Sequence, residues 1–121
     1  MNRRAHTRIP ISNKALLEVE QRYYPCSLID CSRQGLAVAI EAPLTLPLGS
    51  EVVLLSNFCG QQFKCTARLQ YKTARRLGLQ IVGLDQRNAR VLMQFLSQSA
   101  VDHALSYDRF GNLQFDYAMS M

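Results

Sequence analysis

Residues 62–72 alternate apolar with polar side chains, placing Phe63, Cys65, Ala67, Leu69 and Tyr71 on one side. A period of two sustained over that length is the mark of a half-buried β-strand. Shorter stretches repeat it. Residues 14–20 alternate in part, and the polar Gln21-Arg22 step predicts a hairpin into residues 23–30. After the turn at Cys31-Ser32-Arg33-Gln34-Gly35, Leu36, Val38 and Ile40 alternate with Ala37 and Ala39, a strand whose second face is small enough for close packing. Residues 51–57 form a strongly apolar strand, Phe58 to Gln61 a turn around Gly60, and Thr73 to Arg76 a turn into Leu77, Leu79 and Ile81. The segment from Ala42 to Ser50 carries Pro43, Pro47 and Gly49 and is expected to cross the barrel between strands.

At Asp85 the period changes. Asp is a good N-cap, and Val91, Leu92, Phe95 and Leu96 return at helical spacing, predicting one helix to about Leu105 whose apolar stripe plugs an open barrel end. The expected fold is therefore mainly β, a six-stranded antiparallel barrel with a C-terminal helix. It divides into a basic arm over residues 1–10, the barrel and helix over 11–107, and a tail over 108–121. Leu113, Phe115, Tyr117, Met119 and Met121 alternate in that tail, which suits a further strand, paired with the barrel or docked on a partner.

Composition narrows the function classes. With 48% apolar and 19% charged residues among 121, the chain suits one packed domain and argues against disorder. No window reaches the length of a membrane span and no secretory leader is visible, so a cytoplasmic location is expected. Cys26, Cys31, Cys59 and Cys65 lack metal-ligand or redox spacing and are expected to be buried thiols. No nucleophile–base pair, carboxylate dyad or metal cluster points to an enzyme, and His6 and His103 suggest no catalysis.

The net charge of +5 is concentrated in Arg3, Arg4 and Arg8 and in Arg68, Lys72, Arg75 and Arg76, which favours a compact anion over a long polyanion. Two motifs stand out. Arg4-Ala5-His6-Thr7-Arg8 is an RxxxR pattern preceded by Arg3, and Asp30-Cys31-Ser32-Arg33-Gln34-Gly35 is a DxSxxG pattern. Taken singly, a basic arm is more often a solvated tail than a site, and a DxSxxG stretch more often a turn held by side-chain hydrogen bonds. Their order, and their separation by a single hairpin, carry the weight.

This pairing resembles the PilZ domain family, bacterial receptors for cyclic di-GMP built on an antiparallel barrel. The resemblance runs from Arg3 to about Leu96, including Leu77-Gly78-Leu79-Gln80-Ile81 and the helix after it, with no departure at the signature positions. It implies that Arg4 and Arg8 contact phosphate and guanine, that Asp30 and Ser32 contact guanine or phosphate, and that Gly35 allows the turn. In the family, an arginine at the position of Arg3 accompanies an intercalated ligand pair, which implies two cyclic di-GMP molecules per site. The chemistry is feasible. Arginine donates a planar fork to guanine O6 and N7 or to phosphate, and a carboxylate accepts from guanine N1 and N2, a donor pair adenine lacks. Arg33 is expected to be a solvated turn residue.

The resemblance further implies a ligand-gated adaptor in which ordering of the arm creates or hides a surface for a regulatory, motility or biofilm-related partner. Two rivals remain: a PilZ-like interaction module that binds no nucleotide, and a small-barrel nucleic-acid-binding protein. The second lacks aromatic residues interleaved with its basic ones.

Overall fold

The computed structural model describes residues 8–104, with side chains through Gln98. Arg3, Arg4 of the RxxxR motif, His6, His103 and the tail strand expected after residue 108 lie outside that description. Six strands and one helix follow in order: β1 (Ile9–Val19), β2 (Arg22–Cys31), β3 (Gly35–Ile40), β4 (Glu51–Phe58), β5 (Gln61–Lys72), β6 (Arg76–Gly83) and α1 (Gln86–Ala104). All pairings are antiparallel, and the strands close in the order β1-β2-β3-β6-β5-β4. Among the described residues, no helix is long and apolar enough to cross a membrane.

The turns follow from the backbone each hairpin demands. The type I′ hairpin connection, which matches the right-handed twist of its strands, needs positive φ at both central residues. Glu20 (φ 51°) and Gln21 (φ 67°) meet that demand between β1 and β2, and Cys59 (φ 52°) and Gly60 (φ 83°) between β4 and β5. This placement overturns the expectation for one thiol. Cys26, Cys31 and Cys65 are buried, but Cys59 sits at the tip of the β4–β5 hairpin and is exposed. Burial pushes the Cys65 thiol up to about 12 and the Cys26 thiol to about 11. Cys31 also rises to about 12, through burial first and then the nearby Asp30 carboxylate, with Arg8 opposing.

The segment between β3 and β4 does cross the barrel, as its prolines predict, passing the ends of β6 and β5. Gly49 donates to the Leu69 carbonyl (2.8 Å), Leu69 donates to the Ser50 carbonyl (2.9 Å), and Leu44 and Leu46 pack on the core.

Helix α1 starts where Asp85 predicts. One Asp85 carboxylate oxygen accepts from the Asn88 amide (2.8 Å) and the Asn88 side chain (2.9 Å), capping the first turn. Asn88 Oδ1 in turn accepts from the Lys64 amide (2.9 Å), fastening the helix to β5. Val91, Leu92 and Leu96 enter the core, and Phe95 stacks on Phe58 (4.8 Å between centroids), which stacks on Phe63 (4.7 Å).

Tyr71 departs from the alternation that opened the sequence. Leu69 pairs with Leu79 but Tyr71 with Gly78, so β5 carries one extra residue at Gln70 and its phase flips. Leu69 points into the core and Tyr71 points out.

Candidate functional site

A second bulge aims the acidic residue of the DxSxxG motif. On β2, Leu28 pairs with Val38 but Asp30 with Ala37, so Ile29 is the extra residue. Leu28 and Cys31 both lie in the core, leaving Asp30 facing outward. Strict alternation would have turned Asp30 inward with Cys26 and Leu28, where an unpaired carboxylate is costly.

The rest of the motif builds the corner between β2 and β3. The Ser32 hydroxyl accepts from the amides of Gln34 (3.3 Å) and Gly35 (3.1 Å) and donates weakly to the Gly35 carbonyl (3.4 Å). Ser32 is 4% exposed. Its oxygen therefore holds the turn in this structure, and a ligand contact through it requires one of those bonds to yield. Gly35 is needed for space, because it is not among the residues with positive φ. A Cβ at Gly35 would lie 3.0 Å from Arg8 Nη2 and 3.2 Å from the Leu79 carbonyl oxygen.

Arg8 completes the arrangement. It immediately precedes β1, whose Ile9 and Pro10 pair with Cys31 and Asp30, so the barrel itself carries the end of the RxxxR motif to the DxSxxG corner. Arg8 Nη1 donates to Asp30 Oδ1 at 2.8 Å, with both side chains about a quarter exposed or less (21% and 24%). One face of the guanidinium group covers Gly35. Arg8 Nε is buried and has no acceptor among the described residues. Such donors are normally satisfied, and because this one is shielded, a phosphate or guanine acceptor reaches it only if the guanidinium group turns.

The surface beside this corner is unusually thin in side chains. From β2 across β3 and β6 to β5, the outward file reads Asp30, Ala37, Gly78, Tyr71 by direct pairing. Gly78 has no room for a side chain, because a Cβ there would fall within the Tyr71 ring. Tyr71 lies against that strand while remaining 42% exposed, so its ring offers a stacking surface for a nucleobase. Periodicity alone placed Tyr71 on the same side of the strand as Leu69. A bulge has no dependable single-residue signal, and only the glycine opposite hinted at it.

Arg8, Asp30, Ser32 and Gly35 are thus brought together at one corner, and Arg3 and Arg4 precede it outside the described residues. Arg33 is exposed in the turn.

The family model for the PilZ domain matches residues 2–98. No curated protein sequence matches the chain. Among solved structures, the PilZ domain of YcgR from Escherichia coli, described with c-di-GMP, aligns with a TM-score of 0.70 at 16% identity, covering 84% of this chain and 94% of that one. The inhibitor of motility MotI/DgrA of Bacillus subtilis aligns with a TM-score of 0.70 at 15% identity. That alignment covers 84% of this chain and 53% of the inhibitor, so the chain spans about half its length. The PilZ domain of CeSA from a cellulose-synthesizing bacterium gives 0.64 at 17% identity, covering 76% of this chain and 97% of that one. At these identities the likeness is one of fold.

Proposed function

Because the chain belongs to the PilZ domain family, we propose that it is a receptor for cyclic di-GMP that regulates a protein partner and catalyses no reaction. The observation that carries this reading is the Arg8–Asp30 pair at 2.8 Å over Gly35, which joins the two motifs at one outward corner. The YcgR domain described with c-di-GMP supports the ligand class, and the motility inhibitor from Bacillus subtilis supports a motility-related partner.

In the proposed complex, Arg8 turns to bring its unmatched Nε and its exposed edge to phosphate or guanine, while Asp30 accepts from guanine N1 and N2. Ser32 shapes the corner and joins the ligand only by yielding a turn bond. Gly35 leaves room for Arg8. Arg4 closes on the ligand from the preceding segment, and Arg3 holds a second molecule, giving two cyclic di-GMP per site. One guanine stacks on the exposed face of the Tyr71 ring, which itself lies over Gly78. Contacts available only with ligand bound bias the segment carrying Arg3 and Arg4 toward one arrangement, and that bias is the signal passed to the partner.

Isothermal titration with cyclic di-GMP tests the reading. The wild-type chain is expected to bind two ligands per protein, and Arg8→Ala to weaken binding by about 30-fold, the equivalent of about 2 kcal/mol for a charge-assisted hydrogen bond. Circular dichroism confirms that the variant is folded. A folded wild-type chain that takes up no cyclic di-GMP overturns the proposal in favour of an interaction module, and tight binding to unrelated single-stranded DNA overturns it in favour of a nucleic-acid binder.

A further inference from the structure

The second basic cluster divides once its side chains are followed. Arg68 pairs with Glu51 (3.4 Å), Lys72 donates to the Leu46 carbonyl, and Arg75 Nη1 donates to the Glu41 carbonyl at 2.6 Å. These three serve the β4–β5 ladder and the segment that crosses between β3 and β4. Arg76 is different. Its backbone amide joins the Thr73 turn at 3.0 Å, but its guanidinium group has no hydrogen-bond or ion-pair partner among the described residues.

Its position gives that free group a direction. In β6, Leu77 and Leu79 point into the core, so Arg76 and Gly78 share the outward face, and no bulge interrupts the β3–β6 register between them. Arg76 pairs with Ala39 as Gly78 pairs with Ala37. From Asp30 to Arg76 is two ladder steps across and two residues along. At the usual strand spacing and rise this separates their Cα atoms by roughly 12 Å. The strand residues between them are Ala37, Ala39 and Gly78, which raise nothing taller than a methyl group; Ala37 is buried, and what covers Gly78 is the Tyr71 ring.

We propose that Arg76 is a second guanine-reading residue, donating its fork to O6 and N7 of the base that lies farthest from Asp30. This rests on the cyclic di-GMP reading above and deepens it. A cyclic dinucleotide carries its two bases on opposite sides of the phosphate ring, so a platform with a guanine reader at each end selects both bases. Arginine matches a guanine O6/N7 edge with two parallel hydrogen bonds, whereas adenine presents an N6 donor where O6 would stand. Asp30 at one end and Arg76 at the other would therefore each reject adenine, through different edges of the base.

The test compares cyclic di-GMP with the mixed cyclic GMP–AMP by isothermal titration on the full chain. Wild type is expected to prefer cyclic di-GMP by about tenfold or more, in the range of one bidentate base contact. Arg76→Ala is expected to lose about tenfold in cyclic di-GMP affinity and most of that preference. Arg76→Lys, which keeps the charge without the fork, is expected to regain part of the affinity but not the preference. Arg22→Ala, at the remote β1–β2 hairpin, controls for net charge and should match wild type. Arg76→Ala binding both ligands as wild type does would overturn the proposal, as would an equal loss for both with the preference intact, which would reduce Arg76 to a general charge. Wild type that binds neither ligand would bring down the receptor reading itself and this inference with it, and is told apart because the wild-type titration alone reveals it.

Discussion

Where α1 meets β4 and β5, the rings of Phe58, Phe63 and Phe95 fill the space between elements, stacked at 4.7 and 4.8 Å. On the outward face of β3 and β6, the corresponding positions hold Gly35, Ala37 and Gly78, and the space is taken by groups arriving from elsewhere, Arg8 over Gly35 and Tyr71 over Gly78. The first region is closed by side chains that have nowhere else to go. The second is covered by side chains that are partly exposed and attached at its margins, so they can be re-partnered without opening the core. Volume at one end holds the barrel together, and its removal at the other leaves a surface on which polar groups can change partners.

The largest expected effect lies at the aromatic end. Phe58 is 1% exposed and touches both other rings. Phe58→Ala deletes that volume and loosens the seat of α1, which should cost about 3–5 kcal/mol of stability by the usual range for buried aromatics. Urea unfolding followed by circular dichroism measures it. If the two regions are as separate as their packing indicates, the folded fraction should keep its cyclic di-GMP affinity. A parallel fall in affinity would show that the platform depends on the helix seat.

A smaller effect should come from thickening the platform. In Gly78→Ala the new methyl group meets the Tyr71 ring, which is attached at the rim and can swing outward. We expect a stability cost of about 1 kcal/mol, at the low end for overpacking, together with a marked loss of cyclic di-GMP affinity. Tyr71→Ala should reproduce the binding loss. An unchanged affinity in Gly78→Ala would break the assignment of this face to the ligand.

The same contrast explains which features were legible in the sequence. Strands, turns and the helix start are local, and alternation, Gly60 and the Asp85 cap declare them within a few residues. The two motifs likewise announced that Arg8 and Asp30 belong to one corner, because a single hairpin separates them. Facing was harder to read. It depends on bulges at Ile29 and Gln70, each a mismatch between two strands that neither strand records alone. Asp30 was assigned to a site by its motif, and the bulge explains how a strand residue reaches it. Tyr71 had no motif to speak for it, so alternation put it on the side of Leu69. Cys59 was misplaced because a hairpin turn needs positive φ at two residues, and only the second of them is a glycine.

The smallest effect concerns how the helix is held, and it separates charge from hydrogen bonding at one residue. Asp85 has its carboxyl held below the usual value of 3.8, first by the Asn88 backbone amide; desolvation opposes as the next largest influence, and the Asn88 side chain, the Arg87 charge and the Arg87 amide add to the lowering. A carboxyl whose folded value is lowered favours folding when ionised. Its contribution is complete above the unfolded value near 3.8 and is lost as pH falls through the lower folded value. Asp85→Asn keeps an acceptor for the Asn88 amide but has no proton to gain, so it should preserve most of the cap at neutral pH and flatten this part of the acid dependence. Asp85→Ala should lower the melting temperature at neutral pH as well. Thermal melts from pH 7 to pH 3 distinguish the two. Because the cap acts on α1 through Asn88 and β5, neither variant should disturb the Arg8–Asp30 corner, and a shift in ligand affinity at neutral pH would mean that the helix seat and the platform are coupled after all.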